Sequence, residues 1–340
     1  MESTIRFEHW FHPAAAVELP TDELLVSIQH EKIRDVAAAF MANATRVVEA
    51  AQAPISIIFW SRAQQTAIDE AHLEVWGDLV PRKMDDARKP QFDQAMARLR
   101  QKFRDEVEAD PNEYGNRLFL AAGELEMYQK NDVGIRTGLG AVLRGMVTGM
   151  WTAFEVLASD LWETALNVHP AGLVELKGKR PDSMPTPKKS VSALGPDGDS
   201  KDSSKQVKLS YLQANGYDLS HLMGTVLREK FKFQMLDGIR NAYIQAFDES
   251  HTSVREAILH PSLTVLAAVR NLLVHRAGIV DQDFMNDYGR CVELRSEFPS
   301  VELKKPLPMT GLTVHHLIYP VVTQSVKLIE AVNAEVGSSL

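Results

Sequence analysis

The stretch Pro261-Ser262-Leu263-Thr264-Val265-Leu266-Ala267-Ala268-Val269-Arg270-Asn271-Leu272-Leu273-Val274-His275 reads as one apolar helix whose last turns carry a cation, an amide and an imidazole. Ser262 is the candidate N-cap behind Pro261, and Gly278 stands where a left-handed residue would stop the helix. Polar groups of this kind lose hydration when buried, so they must either be paired or face something chemical.

Helical periodicity continues on both sides of this stretch. From Thr21, the candidate N-cap of the first helix, Leu24, Ile28, Val36, Phe40, Val47 and Val48 recur at helical spacing; Asp22 and Glu23 suit the positive end, and Pro54 is expected to stop the run. Helical patterns follow over 62–79, 90–108 and 116–130, divided by Pro81, Pro111, the Asn131-Asp132 pair and Gly134. Over 142–166, Val142, Met146, Met150, Phe154, Leu157, Leu161 and Leu166 keep mostly to one stripe, and further helices are expected over 223–247 and 313–336. Only 55–60 shows the β-branched alternation of a strand. The predicted class is all-α, with residues 1–132 an N-terminal helical region and 133–340 a second domain. Within it, 176–208 has eight Lys/Arg, four Asp and scarcely any large apolar side chain. Such a segment buries too little surface to offset its ordering entropy, so a flexible insertion is expected.

At 340 residues and 45% apolar composition the chain can bury a substantial core in one large or two ordinary domains. A formal charge of −8 argues against a surface devoted to nucleic acid, yet allows a local basic groove. Cys291 is the only cysteine, which excludes an intrachain disulfide and a cysteine metal cluster and fits a reducing compartment. The beginning of the sequence lacks the basic-then-apolar layout of a secretory signal. The apolar run 141–158 contains Arg144 and Glu155 and falls short of the about 20 residues a membrane span needs, so the expected protein is soluble and cytoplasmic, with no membrane partner.

Arg255 and His260 repeat the spacing of Arg270 and His275, so two of 11 histidines carry it and spacing alone says little. What sets the second pair apart is its context, Arg270-Asn271-x-x-x-His275-x-x-Gly278-x-Val280-Asp281. With that pattern the segment resembles the HEPN family (higher eukaryotes and prokaryotes nucleotide-binding domains). The helix Met150-Trp151-Thr152-Ala153-Phe154-Glu155-Val156-Leu157 is similar to an earlier family helix whose acidic residue faces the Arg/His pair, which gives Glu155 a role. The resemblance runs over 133–336 apart from the insertion. It implies an all-α helical bundle, commonly dimeric, many of whose members are metal-independent ribonucleases of toxin, phage-defence and RNA-processing systems. It implies neither metal nor cofactor, an RNA substrate, a homodimer formed by this domain, and an antitoxin or defence partner.

The chemistry suits these residue types. RNA is cut when its 2′-OH attacks the adjacent phosphorus, which requires proton transfer and stabilisation of a crowded anionic phosphorane. An imidazole titrates near neutrality and can act as general acid or base. A guanidinium stays charged and matches phosphate oxygens with its fork. Asn271 can orient His275 or donate to phosphate, and the negative helix end casts His275 as general acid toward the leaving 5′-oxygen. Positions five apart lie about 140° round a helix, so Arg270 must reach round, the helix must end at His275, or a second copy must complete the site. The competing reading pairs Arg270 with Glu155 and has His275 cap carbonyls, which makes the domain a non-catalytic dimerisation or binding module.

Other features carry less. Gly138-Leu139-Gly140 with Gly145 is no phosphate loop, because Met146 stands where a lysine is needed and no strand precedes it. Gly145 and Gly149 are expected to allow close helix packing. The adjacent His315 and His316 point to different faces and make a poor metal site. His9-Trp10-Phe11-His12 is an aromatic anchor for the N-terminal arm, and Lys188-Lys189 is a solvated linker or an arm for RNA phosphates.

Overall fold

The computed structural model describes residues 10–79, 87–170, 213, 216–219 and 221–337. It is all-α: the described residues hold no strand, only an isolated bridge between Ile279 and Pro306. A 3-10 turn, His12–Ala16, precedes α1 (Thr21–Ser27), α2 (Glu31–Trp76), α3 (Lys89–Ala109), α4 (Pro111–Asn131) and α5 (Val133–Val168). After these come α6 (Met223–Arg228), α7 (Leu236–Ala246), α8 (Thr252–Leu259), α9 (Pro261–Arg276), α10 (Gln282–Arg290), α11 (Val292–Glu297) and α12 (Gly311–Gly337). The insertion expected over 176–208, with Lys188 and Lys189, lies outside the described residues.

Several local expectations are corrected. Pro54 does not stop a helix but sits inside α2, and 55–60 is helical, not strand-like. A proline removes one backbone bond and costs about 3 kcal/mol in a helix interior. Ala51, Ile55 and Phe59 are buried around it, and a few buried apolar side chains at about 1.5–3 kcal/mol each outweigh that loss. Pro320 is carried by α12 in the same way, beside the buried Ile318, Val321 and Val322. Thr21 is the first residue of α1 and Pro20 holds the cap position. The run over 223–247 is two helices, α6 and α7. Gly145 is exposed, and a Cβ there meets nothing within 4 Å, so it serves no close approach.

The chain divides into two compact units, one of 1–17, 46–146 and 309–315, the other of 18–45, 147–308 and 316–340. The division differs from 1–132 and 133–340 because α2, α5 and α12 each contribute residues to both units.

In the first unit, Ala67, Ala71, Phe92, Ala95 and Met96 form a core against Ile68, Val75, Trp76 and Leu99. The His72 ring lies 4.8 Å from Trp76 and 5.2 Å from Phe92. The N-terminal arm is anchored by Phe11, which is fully buried and whose N–H donates to Glu126 Oε1 at 2.6 Å. Gly311 is required there, since a Cβ would lie 2.2 Å from the Phe11 carbonyl oxygen.

The second unit is built on α5 and α7. The Trp162 indole N–H donates to the Ala242 carbonyl at 3.0 Å, and the Tyr243 hydroxyl donates to the Ala158 carbonyl at 2.9 Å. Both side chains are fully buried, so each large apolar body is registered by its single polar atom. Burial pushes the Tyr243 phenol well above its usual range. α9 packs against α7, α10 and α11. Within the stretch Thr252–Arg276, 18 residues are apolar enough to cross a membrane by composition, with mean hydropathy 1.5, but 56% of them are buried and His260 interrupts the helix.

Candidate functional site

α9 begins and ends with defined caps. His260, not Ser262, is its N-cap: the imidazole Nδ1 accepts the Ser262 N–H at 3.3 Å and lies 2.9 Å from the Ser262 hydroxyl. At the other end Ala277 takes the left-handed conformation (φ 52°), and the N–H of Gly278 (φ 82°) closes back on the Leu272 carbonyl at 3.2 Å. Two successive residues with positive φ favour glycine, and the sequence supplies one of the two.

The remainder of the motif proves to be structural. Gly278 and Val280 exchange backbone hydrogen bonds with 304–307, Val280 is buried, and Asp281 caps α10 by accepting the Phe284 N–H at 2.9 Å. Asp281 also accepts from Arg276 Nε at 2.8 Å. The Phe284 N–H first, and Arg276 next, hold the Asp281 carboxyl below its ordinary range. Gly-x-Val-Asp therefore turns the chain out of α9, pins it, and starts the next helix.

This frame sets the three polar residues at its end. Leu272 and Leu273 are buried, whereas Asn271, Val274, His275 and Arg276 are exposed and Arg270 is half-buried. The helix continues through Arg276, so the wide angle between positions 270 and 275 is not relaxed. Instead the Arg270 guanidinium leans across: Nη1 donates to Asn271 Oδ1 at 3.1 Å. Asn271 lies four residues before His275, on the same face of the helix. Among the described residues His275 has no hydrogen-bond or ion-pair partner and caps no carbonyl.

Glu155 of α5 is half-buried near Arg270. Burial raises its carboxyl above the ordinary range, opposed first by the Arg270 charge and next by the Trp151 indole N–H one turn back. The Trp151 N–H is buried and lies outside hydrogen-bond geometry, so its effect on Glu155 is that of a nearby dipole, weaker than a formed bond. Arg270 and Glu155 thus interact through space without closing an ion pair among the described residues. The structure brings Arg270, Asn271 and Glu155 together, and leaves His275 projecting beside them.

Sequence reasoning missed Arg240, which donates to the Ile258 carbonyl at 3.2 Å, to the Leu259 and His260 carbonyls at 3.4 and 3.3 Å, and to Thr264 Oγ1 at 3.0 Å. It clamps the α8–α9 junction to α7; a lone arginine on a half-apolar helix gives no local sign of such partners. His316 sits 3.2 Å from Glu297, and no group of three or more metal-ligating side chains exists among the described residues. Compared with protein-family models, curated proteins and solved structures, the chain matches none.

Proposed function

We propose that the chain is a metal-independent endoribonuclease of HEPN-like type, acting as a toxin or phage-defence effector in the cytoplasm. The observation that carries this reading is the state of His275, an exposed imidazole with no hydrogen-bond or ion-pair partner among the described residues, on the last turn of a buried helix that also carries Arg270, engaged by Asn271. In the reaction the RNA 2′-oxygen bonds to phosphorus and gives up its proton, Arg270 neutralises the phosphorane, and the 5′-oxygen leaves with a proton from His275. Glu155 limits where the Arg270 guanidinium can go. A homodimer through this domain, placing two such ends about one cleft, supplies the second proton-transfer group, and an antitoxin or defence partner restrains the activity.

One observation favours a second reading, a non-catalytic dimerisation or binding module: Arg270 is engaged by Asn271 and drawn by Glu155, not aimed at His275. Incubating the purified chain with mixed RNA in EDTA, beside His275→Ala, separates the two. Cleavage that leaves cyclic-phosphate ends and disappears in the variant is the expected result; equal or absent cleavage in both proteins leaves the binding module.

A further inference from the structure

In the first unit α2, α3 and α4 enclose a cleft of about 490 Å³. That volume lies in the roughly 300–1,000 Å³ range of small-molecule sites. Its floor is apolar, with Phe59 and Ala67 buried and Phe103 half-buried, and its rim carries Arg62, Lys102 and Arg117 together with Glu70 and Glu106. Phe103 packs 5.6 Å from Phe59 and 5.8 Å from Trp60, and the Arg117 guanidinium carbon stands 5.1 Å from the centre of the Phe103 ring. A guanidinium backed by an aromatic ring offers a stacking surface to a planar heteroaromatic group.

Lys102 at the rim is held loosely. Arg117 Nη2 is 3.6 Å and Lys102 Nζ 3.8 Å from the Glu106 carboxylate, so two cations share one acid through long, water-screened contacts. Such pairs contribute little, so the Lys102 ammonium can exchange Glu106 for a phosphate. Arg62 is tied by Nε to Glu124 at 2.5 Å, which fixes a third cation at the rim. Arg62 is balanced by Glu124, and Lys102 and Arg117 stand against Glu70 and Glu106, so an anion gains at this rim by displacing Glu106 rather than from a net positive lining.

We propose that this cleft binds a planar aromatic anion of mononucleotide size, its ring against the Arg117–Phe103 pair and its phosphate on Lys102 in place of Glu106. The site is independent of the ribonuclease reading. Calorimetric titration of the full chain with AMP, adenosine and inorganic phosphate tests it. AMP is expected to saturate with a submillimolar Kd, with adenosine and phosphate each at least about tenfold weaker. Lys102→Ala, which removes an exposed side chain, and Arg117→Lys, which keeps the charge and loses the plane, should each weaken AMP at least about fivefold with an unchanged circular dichroism spectrum. Arg270→Ala and His275→Ala should bind as the parent does. Failure of AMP, GMP, CMP and UMP to saturate, or loss of binding in Arg270→Ala with Lys102→Ala unaffected, overturns the proposal.

Discussion

Arg255 with His260 and Arg270 with His275 share one spacing on consecutive helices, yet their side chains end in different company. His260 caps α9, and the backbone it belongs to is clamped by Arg240. Arg255 Nη1 donates to the Phe247 carbonyl at 3.5 Å, across the α7–α8 turn. The first pair is thus absorbed by chain ends that need donors and acceptors. The second stands where the ends are already satisfied: Ala277 and Gly278 close the helix, and Asp281 takes Arg276. A polar side chain becomes available for chemistry when the backbone around it needs nothing from it.

The contrast is broken most directly by exchanging its members. His275→Ala should lower metal-independent RNA cleavage at least about 100-fold with an unchanged melting temperature, whereas His260→Ala should keep the rate per folded molecule. Equal losses in both would erase the distinction. Next in size, Asp281→Ala removes the α10 cap and the anchor of Arg276. A loss of about 1–2 kcal/mol is expected by urea unfolding, and cleavage should persist below the melting transition. His260→Ala should cost about 1 kcal/mol for the lost α9 cap.

The pH dependence of the same cap has a definite sign. Burial first, and Lys327 next, push the His260 imidazole below its ordinary value, against a smaller opposing effect of Glu293. The unfolded chain therefore takes up this proton more readily than the folded one, so the contribution of His260 to stability is present above the ordinary histidine range and is lost as pH falls through it. Unfolding midpoints of parent and His260→Gln at pH 7.5 and about 5.5 should converge at the lower pH; parallel curves would remove His260 as the acid-sensitive cap. The smallest effect belongs to Arg255→Ala, within about 0.5 kcal/mol for a long, half-exposed contact. A larger loss would mean that Arg255 holds the α7–α8 turn.

Much of this was legible in local pattern. The helical class, the positions of α3, α4, α9 and α12 and the Gly278 stop follow from periodicity, prolines and glycines, whereas α5 starts at Val133, nine residues before the expected 142, and carries inside it Gly134, which the pattern marks as a break. Pro54 was misleading because burial of its neighbours outweighs one lost hydrogen bond, and burial is not a local property. Ser262 was misread as a cap because a histidine can supply the same acceptor atom. Val280 and Asp281 carried the family resemblance, yet here one is core and the other a helix cap.

By itself the sequence determined an all-α chain in which Arg270, Asn271 and His275 end an apolar helix, since helical spacing and capping depend on residues within a few positions of one another. Tertiary structure alone decided that Arg270 leans on Asn271 beside Glu155, that Arg255 and His260 are taken up by neighbouring turns, and that three helices of the first unit line a charged-rimmed, aromatic-floored cleft. Those outcomes depend on which distant groups arrive to desolvate or to pair each side chain, and packing alone supplies those neighbours.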